Sequence, residues 1–357
     1  MTSTVLKDLS EAVGVSGDEA EVRHFIIETI KDHVDRYQVD SIGNLFALKK
    51  PSPSSTRRRK RLKVMVAAHM DEVGMMIVHI EKDGLLRFRA VGGIDDRILL
   101  SKVVLVGQER VPGVIGVKPI HLLKEKERNQ VVRVEDMTID IGVSSREEAE
   151  KVVKVGDYAT FATQFEELHN GVGESNGLNV VKGKAFDDRV GCAVLVELLK
   201  EEYPCELHAA FTVQEEVGLR GAMVAAYTIE PDVAIALEGT ISDDMPKKKD
   251  VSPTTELGKG PAITIMDRTI IVDRHLVKLL VETAEENNIP YQFKQPGVGG
   301  TDAGRIHLTR KGVPTAVVSV PCRYIHSPVA FLSRSDFDHA VELMKRTLNK
   351  LTREVIP

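Results

Sequence analysis

Apolar and polar positions alternate along this chain with two distinct periods. Val5, Leu6, Leu9 and Val13 recur at helical spacing, and Gly14 and Gly17 end that segment. Ser16-Gly17-Asp18 has the composition of a cap for a second helix carrying Val22, Phe25, Ile26 and Ile30. Residues 37–48 predict strands around a turn at 41–44. Residues 62–68 are short and mostly apolar, the pattern of a buried parallel strand. From 73 to about 166 the texture changes. Short β-type runs at 75–80, 85–91, 103–106, 113–117 and 158–161 alternate with turns bearing Gly, Pro and Asp. Near Lys182 the α/β alternation resumes. Helices are predicted at 188–201, 221–227, 275–287 and 336–353, and strands at 207–213, 233–237, 262–265 and 315–320.

This order predicts an α/β fold, a mixed sheet sandwiched by helices, with a small β-rich domain inserted into it. The larger domain is discontinuous, 1–72 with 167–357, and the insert is 73–166.

Composition narrows the classes. With 42% apolar and 28% charged residues over 357 positions, the chain is globular rather than disordered. A formal charge of −5 gives no electrostatic case for nucleic acid or an anionic membrane as partner. The basic run Arg57, Arg58, Arg59, Lys60, Arg61 is read as a solvated loop between two strands. Cys192, Cys205 and Cys322 are odd in number and lack metal-finger spacing, which favours free thiols and a cytoplasmic setting. The N-terminal stretch lacks a continuous apolar core of the signal-peptide kind, and no apolar run reaches the roughly 20 residues needed to cross a bilayer.

Candidate chemistry gathers where the predicted strands end. His69 follows 64–68, Glu215 and Glu216 follow 207–213, Glu238 follows 233–237, and His326 follows 315–320 after a short loop. Asp187 and Asp188 open a helix. In open α/β sheets ligands bind beyond the carboxyl ends of the strands, so these distant segments can share one crevice. Two His, two Glu and one Asp suffice for two divalent ions if the Asp bridges. Asp71 can accept the second N–H of the His69 ring and so orient it. Adjacent glutamates allow Glu216 to ligate while Glu215 acts as general base. Taken singly, each signal is weak: a lone His at a strand end, paired surface glutamates, a Gly-Gly-Thr-Asp turn. Their recurrence after apolar strands is what makes a site.

Together, His69-Met70-Asp71-Glu72-Val73-Gly74, Ala185-Phe186-Asp187-Asp188-Arg189, Val213-Gln214-Glu215-Glu216-Val217-Gly218, Gly299-Gly300-Thr301-Asp302-Ala303-Gly304 and Arg323-Tyr324-Ile325-His326-Ser327 resemble the tetrahedral aminopeptidase family. These are co-catalytic metallopeptidases of the glutamyl and deblocking type, with a zinc-peptidase-like fold. The resemblance runs from Gly14-Val15-Ser16-Gly17 to the last helix. It implies one ion, zinc or cobalt, on His69 and Glu238 and another on Glu216 and His326. Asp187 would bridge them, Glu215 would be the base, and Asp71 the orienting group. Many relatives carry Asp in place of Glu238, and Glu supplies the same oxygen on a longer arm. A cis Asp187–Asp188 peptide is also implied. The expected reaction is removal of the N-terminal residue from peptides by a water activated between the ions. The insert resembles the family's dimerisation domain, which implies dimers assembling into a tetrahedral dodecamer. The basic loop is longer than is usual for the family. Arg220 and Arg323 are candidates for holding a substrate carboxylate or for bracing loops, and Asp302 for lining the pocket or shaping its turn. His121 and His307 stand outside the ligand set.

Three rival functions remain on the sequence alone: a carboxypeptidase or N-acyl amino-acid deacylase on the same scaffold, a glycoside hydrolase working through two carboxyls, and a binding subunit with a vestigial site.

Overall fold

The computed structural model describes residues 2–52, 62–168, 179–245 and 254–353. The basic run at 57–61 lies outside them. The chain opens with α1 (Thr2–Glu11), α2 (Ala20–Ile30), β1 (Arg36–Val39), β2 (Leu45–Lys49) and β3 (Lys63–His69). Then come β4 (Gly74–Ile80), β5 (Leu86–Val91), β6 (Val103–Val106), β7 (Val111–Ile115), β8 (Ile139–Asp140), the one-turn α3 (Arg146–Ala149) and β9 (Tyr158–Phe161). The remainder is β10 (Glu166–Glu167), β11 (Val180–Gly183), α4 (Phe186–Leu199), β12 (Glu206–Thr212), α5 (Arg220–Ile229), β13 (Val233–Ser242), β14 (Ala262–Ile263), α6 (Arg274–Glu286), β15 (Gln292–Phe293), α7 (Ala303–Ile306), β16 (Thr315–Arg323), β17 (Ala330–Ser333) and α8 (Arg334–Lys350).

Eleven strands make one mixed sheet in the order β1-β2-β12-β3-β13-β16-β17-β11-β10, with β14 joined to β16 and β15 to β14. The four central strands β12, β3, β13 and β16 run parallel. Their outer neighbours are antiparallel. Residues on β3 alternate between two cores, as a strand buried on both faces requires. Val64, Val66 and Ala68 pack with α1, α2, α4, α6 and α8. Met65 and Ala67 meet Ala222, Ala225 and Ala226 of α5 and Ile306 of α7. The expected helix-sheet-helix sandwich is therefore present. Because the central strands are parallel, their carboxyl ends, His69 and Thr212 paired in register among them, lie along one edge.

The segment from β4 to β9 closes into a six-stranded barrel, β4-β5-β8-β7-β6-β9. It has its own core, with Met75, Ile77, Phe88, Val104, Ile139 and Phe161 inside. Alternation explains the closure: Val104 and Val106 are fully buried while Val103 is exposed.

Several boundaries differ from the sequence expectation. β13 runs beyond 237 to Ser242 because its ladder with β16 continues to the Ser242–Arg323 pair. α2 starts at Ala20 behind Glu19, which makes no side-chain cap, so the predicted Ser16-Gly17-Asp18 cap is not formed. The Ser16 hydroxyl donates instead to the buried carboxylate of Asp71 at 2.6 Å. A charged acceptor in a dry interior outcompetes a helix end that solvent can serve.

Candidate active site

The edge where β3, β12, β13 and β16 end carries most of the predicted chemistry. His69 is the last residue of β3 and is 1% exposed. Its Nε2 lies 3.3 Å from Asp187 Oδ1, 3.7 Å from Glu238 Oε2 and 3.9 Å from Glu215 Oε2. His326, in the loop after β16, points its Nε2 at Asp187 Oδ2 and Glu216 Oε1, 3.4 Å from each. Asp187 therefore turns one oxygen to each histidine. Its own peptide bond to Asp188 is cis.

Two donor sets result. His69, Asp188 and Glu238 have donor atoms within 4.8 Å of one another, and so do Asp187, Glu216 and His326. Asp188 is the weaker ligand candidate in the first set. Its Oδ2 accepts the His69 N–H at 3.1 Å and its Oδ1 the Gly191 N–H at 3.0 Å. Asp187 has no such backbone partner and lies as close to His69. Imidazole nitrogens and carboxylate oxygens in this number fit two divalent cations.

Electrostatics also calls for cations here. Burial, reinforced by neighbouring carboxylates, pushes Glu215 and Glu238 well above the usual carboxylate range. Burial likewise lifts Glu216 to about 7, His326 offsetting only part of it. Burial would lower both histidines. Glu215, Asp187 and Asp71 instead carry His69 well up, and Asp187 and Glu216 carry His326 to about 10. Asp187 resists burial and stays low through its hydrogen bonds to His326 and His69. Crowded acids held out of water are costly unless paired with positive charge.

Behind the cluster, Asp71 is fully buried and organises three segments. It accepts the Ser16 hydroxyl, the Glu215 N–H at 2.9 Å and the Glu216 N–H at 3.1 Å. Its Oδ1 is 3.4 Å from His69 Nδ1, whose nearer neighbour is the Asp71 backbone carbonyl at 3.0 Å. His326 Nδ1 meets the Gly93 carbonyl at 2.9 Å, so the segment after barrel strand β5 fixes that ring. Ala185, Gln214 and His326 all hold left-handed backbone, with φ of 55°, 57° and 55°. For non-glycine residues this costs about 1–3 kcal/mol each, and such positions concentrate at functional sites.

The sequence reading missed a second buried layer. Glu72 takes Lys184 Nζ at 2.6 and 2.8 Å, Arg189 Nη2 at 3.2 Å, and the hydroxyl of Thr160 in β9 at 3.1 Å. Arg189, fully buried, also donates to the carbonyls of Leu9, Ala12, Gly14 and Met70. This network ties α1, the end of β3 and the barrel together. Removing one partner of such a group costs roughly 3–5 kcal/mol. Charged residues flanking ligand motifs were the available signal, but charge alone more often marks a surface.

The remaining candidates are placed as follows. Asp302 is buried beside the cluster; Thr212 donates to its Oδ2, its N–H reaches Glu238 Oε1 at 3.2 Å, and burial raises it to about 6. Arg323 is forked onto Asp244 at 2.6 and 2.8 Å. Arg220 donates to the Gln214 side chain at 3.1 Å. His121 is exposed and His307 Nδ1 faces the Ala303 carbonyl, both apart from the two donor sets. The three cysteines are free and buried. A cleft of about 720 Å³ opens over Asp187, Glu215, Glu216, Glu238 and His326, and Lys294 and the 299–301 loop form part of its wall.

The M42 glutamyl aminopeptidase family profile matches residues 43–343. A lysyl aminopeptidase of Pyrococcus furiosus is 35% identical over 97% of this chain and 96% of its own. A TET aminopeptidase structure from the marine sediment archaeon Thaumarchaeota archaeon SCGC AB-539-E09 superposes with a TM-score of 0.90 at 38% identity, covering 99% of this chain and 98% of that one. The TET1 peptidase of Pyrococcus horikoshii, described as assembling into a tetrahedron or a large octahedral shell, gives 0.83 at 37% identity over 98% and 100%. The chain belongs to the M42 glutamyl aminopeptidase family, the tetrahedral aminopeptidases, and is an aminopeptidase.

Proposed function

We propose that the chain removes the N-terminal residue from peptides at a two-ion centre. His69 and Glu238 would hold one ion, Glu216 and His326 the other, with Asp187 shared. The observation that carries this reading is the Asp187 carboxylate, one oxygen 3.3 Å from His69 and the other 3.4 Å from His326. When bound, the ions supply Lewis acidity and lower the pKa of a nucleophilic water. Zinc or cobalt suits this nitrogen and oxygen donor set.

Glu215 is left over as the base. It lies within the cluster yet outside both donor triads, and its side chain is 12% exposed, lining the cleft. It would accept the proton of the attacking water and deliver it to the departing amine. Asp71, bonded to the Glu215 N–H, holds that residue and His69 in one frame. The Glu215→Gln variant should retain two ions per subunit by elemental analysis. Its turnover of aminoacyl substrates should fall roughly 10²–10⁴-fold, the usual weight of a general base. Near-normal turnover with both ions present would remove Glu215 from this role.

Self-association into dimers and a dodecamer is part of the same proposal. It is supported by the relative's named tetrahedral assembly and by exposed Ile120 and Leu122 in the inserted segment 73–166, 69% and 60% accessible. The three unpaired thiols suit a reducing cytoplasm. Among the described residues no helix is long and apolar enough to cross a membrane.

A further inference from the structure

We infer that Glu72 is a positioning residue: its carboxylate grips the chain on both sides of Asp187 and so aims the oxygens that the two ions share. The inference rests on the two-ion reading above and adds to it a residue that touches neither ion nor substrate.

Asp187 depends on support from its surroundings. Among the described residues its carboxylate meets the rings of His69 and His326, at 3.3 and 3.4 Å, and no backbone N–H. Its aim must therefore come from the backbone that carries it. That segment begins in left-handed geometry at Ala185, φ 55°, which a non-glycine residue holds when its surroundings impose it. The segment also lies against β13. A Cβ on Gly239 would come within 2.8 Å of the Phe186 carbonyl oxygen and 3.0 Å of Asp187 Cα. Packing this close leaves little room for drift.

Glu72 supplies the contacts that hold the segment there. Lys184, three residues before Asp187, donates Nζ to both Glu72 oxygens at 2.6 and 2.8 Å. Arg189, two residues after Asp187, donates Nη2 to Oε1 at 3.2 Å. One carboxylate thus spans the turn, and the Arg189 N–H closes it on the Ala185 carbonyl at 3.0 Å. Charge-assisted bonds are roughly twice as strong as neutral ones. All three side chains are 3% exposed or less, so water does not compete. A cavity of about 10 Å³, room for about one water, is lined by Glu72, Lys184, Asp187, Glu216 and His326, so the grip and the second donor set are neighbours.

Glu72 is itself fixed from two directions. Its Oε2 accepts the hydroxyl of Thr160, in barrel strand β9, at 3.1 Å, and its Oε1 the Gly14 N–H at 3.2 Å. Its backbone N–H donates to the Gly14 carbonyl at 2.9 Å. The barrel therefore helps to set the carboxylate that sets Asp187. Glu72 is 2% exposed and does not line the cleft, so it acts through Asp187 and not on substrate.

The test loads the full-length enzyme with cobalt or zinc. It reads metal affinity by competition with a chelator, the visible absorption of bound cobalt, and kcat and KM on a cleaved aminoacyl-p-nitroanilide. Glu72→Gln keeps the shape but turns one acceptor into a donor facing the Lys184 ammonium. It should weaken both ions by about tenfold or more, since both share Asp187, and lower kcat with KM little changed. Its cobalt band should differ from that of wild type at saturating cobalt, because the ligand geometry has moved. Thr160→Val removes only the barrel's bond and should shift the same readouts the same way by a smaller factor. It decides the matter if Glu72→Gln fails to fold. Lys49→Met is the comparison for lost stability alone, because Lys49 is also buried but pairs with the start of β12, at the opposite end of the sheet. Metal loss in Glu72→Gln no greater than in Lys49→Met overturns the inference, as does a wild-type cobalt band in whichever of Glu72→Gln and Thr160→Val decides. Wild type holding fewer than two ions, or Asp187→Asn holding both as tightly as wild type, would sink the shared-ligand reading beneath it. Two ions bound in wild type, weakened by Asp187→Asn but not by Glu72→Gln, would sink only this inference.

Discussion

The two histidine halves of the site are built differently. His69 ends a central strand, 1% exposed, with Asp71 behind it and its backbone N–H on Asp188. His326 sits on a loop, its side chain 38% exposed, in left-handed backbone at φ 55°, steadied by the Gly93 carbonyl. One half is part of the sheet core. The other is closed by a contact between a loop and the segment leaving the barrel, 233 residues apart in sequence. Burial makes the first half rigid at the cost of desolvation, and exposure leaves the second half open to solvent.

That contrast predicts unequal consequences for equivalent truncations. On the two-ion proposal, His69→Ala and His326→Ala should each lower turnover by about 10³-fold or more, because each would remove an ion ligand worth several kcal/mol of transition-state stabilisation. They should part on stability. In His69→Ala the buried Asp71 and Asp187 lose a partner, so the fold should weaken by roughly 1–3 kcal/mol in denaturant titrations of the metal-free protein. His326→Ala should stay near wild type in the same titration. Equal destabilisation by the two would erase the distinction between a core half and a closing half.

The same contrast marks how far sequence alone could reach. The core half follows strand periodicity: 62–68 announces β3, and the ligand types after each apolar run stand out because the sheet is parallel there. The closing half does not. Nothing local in Tyr324-Ile325-His326 requires left-handed backbone, and Gly93 enters through a carbonyl that any residue would supply. Ser16 was misread for a related reason: its composition suits a helix cap, and only the tertiary fold brings a buried carboxylate to it. Lys294 and the Glu72–Lys184–Arg189 group escaped notice because charged residues are usually solvated, and only burial shows otherwise. Residue motifs brought forward the candidate ligand types, while the fold shows which of them meet.

Asp71 joins the two halves, so its substitution probes both. It receives the amides of Glu215 and Glu216, one beside each histidine's half, and faces the His69 ring. Asp71→Asn keeps the shape, but its amide group has one acceptor oxygen where the carboxylate had two. Groups that orient metal ligands in this way typically carry about 10–100-fold in affinity or activity. The expected result is a loss in that range, with weaker binding at both ions in competition with a chelator. A loss confined to the His69 ion would show that Asp71 serves only the core half.

Ser16→Ala should have the smallest effect and isolates one bond of that hub. The Ser16 hydroxyl shares Asp71 Oδ2 with the Glu216 N–H, 2.6 Å against 3.1 Å. Removing it leaves Oδ2 one donor and Oδ1 its amide from Glu215, so the carboxylate keeps its place by two backbone bonds. A hydrogen bond to a buried charge contributes about 1.5–3 kcal/mol, and the remaining donors should recover part of that. Stability should therefore fall by roughly 1 kcal/mol, with turnover changed no more than a few-fold. A loss as large as that of Asp71→Asn would mean the hydroxyl, rather than the two glutamate amides, sets the angle of the carboxylate. The link between α1 and α2 would then belong to the catalytic frame, and the core half would extend beyond the sheet to that link.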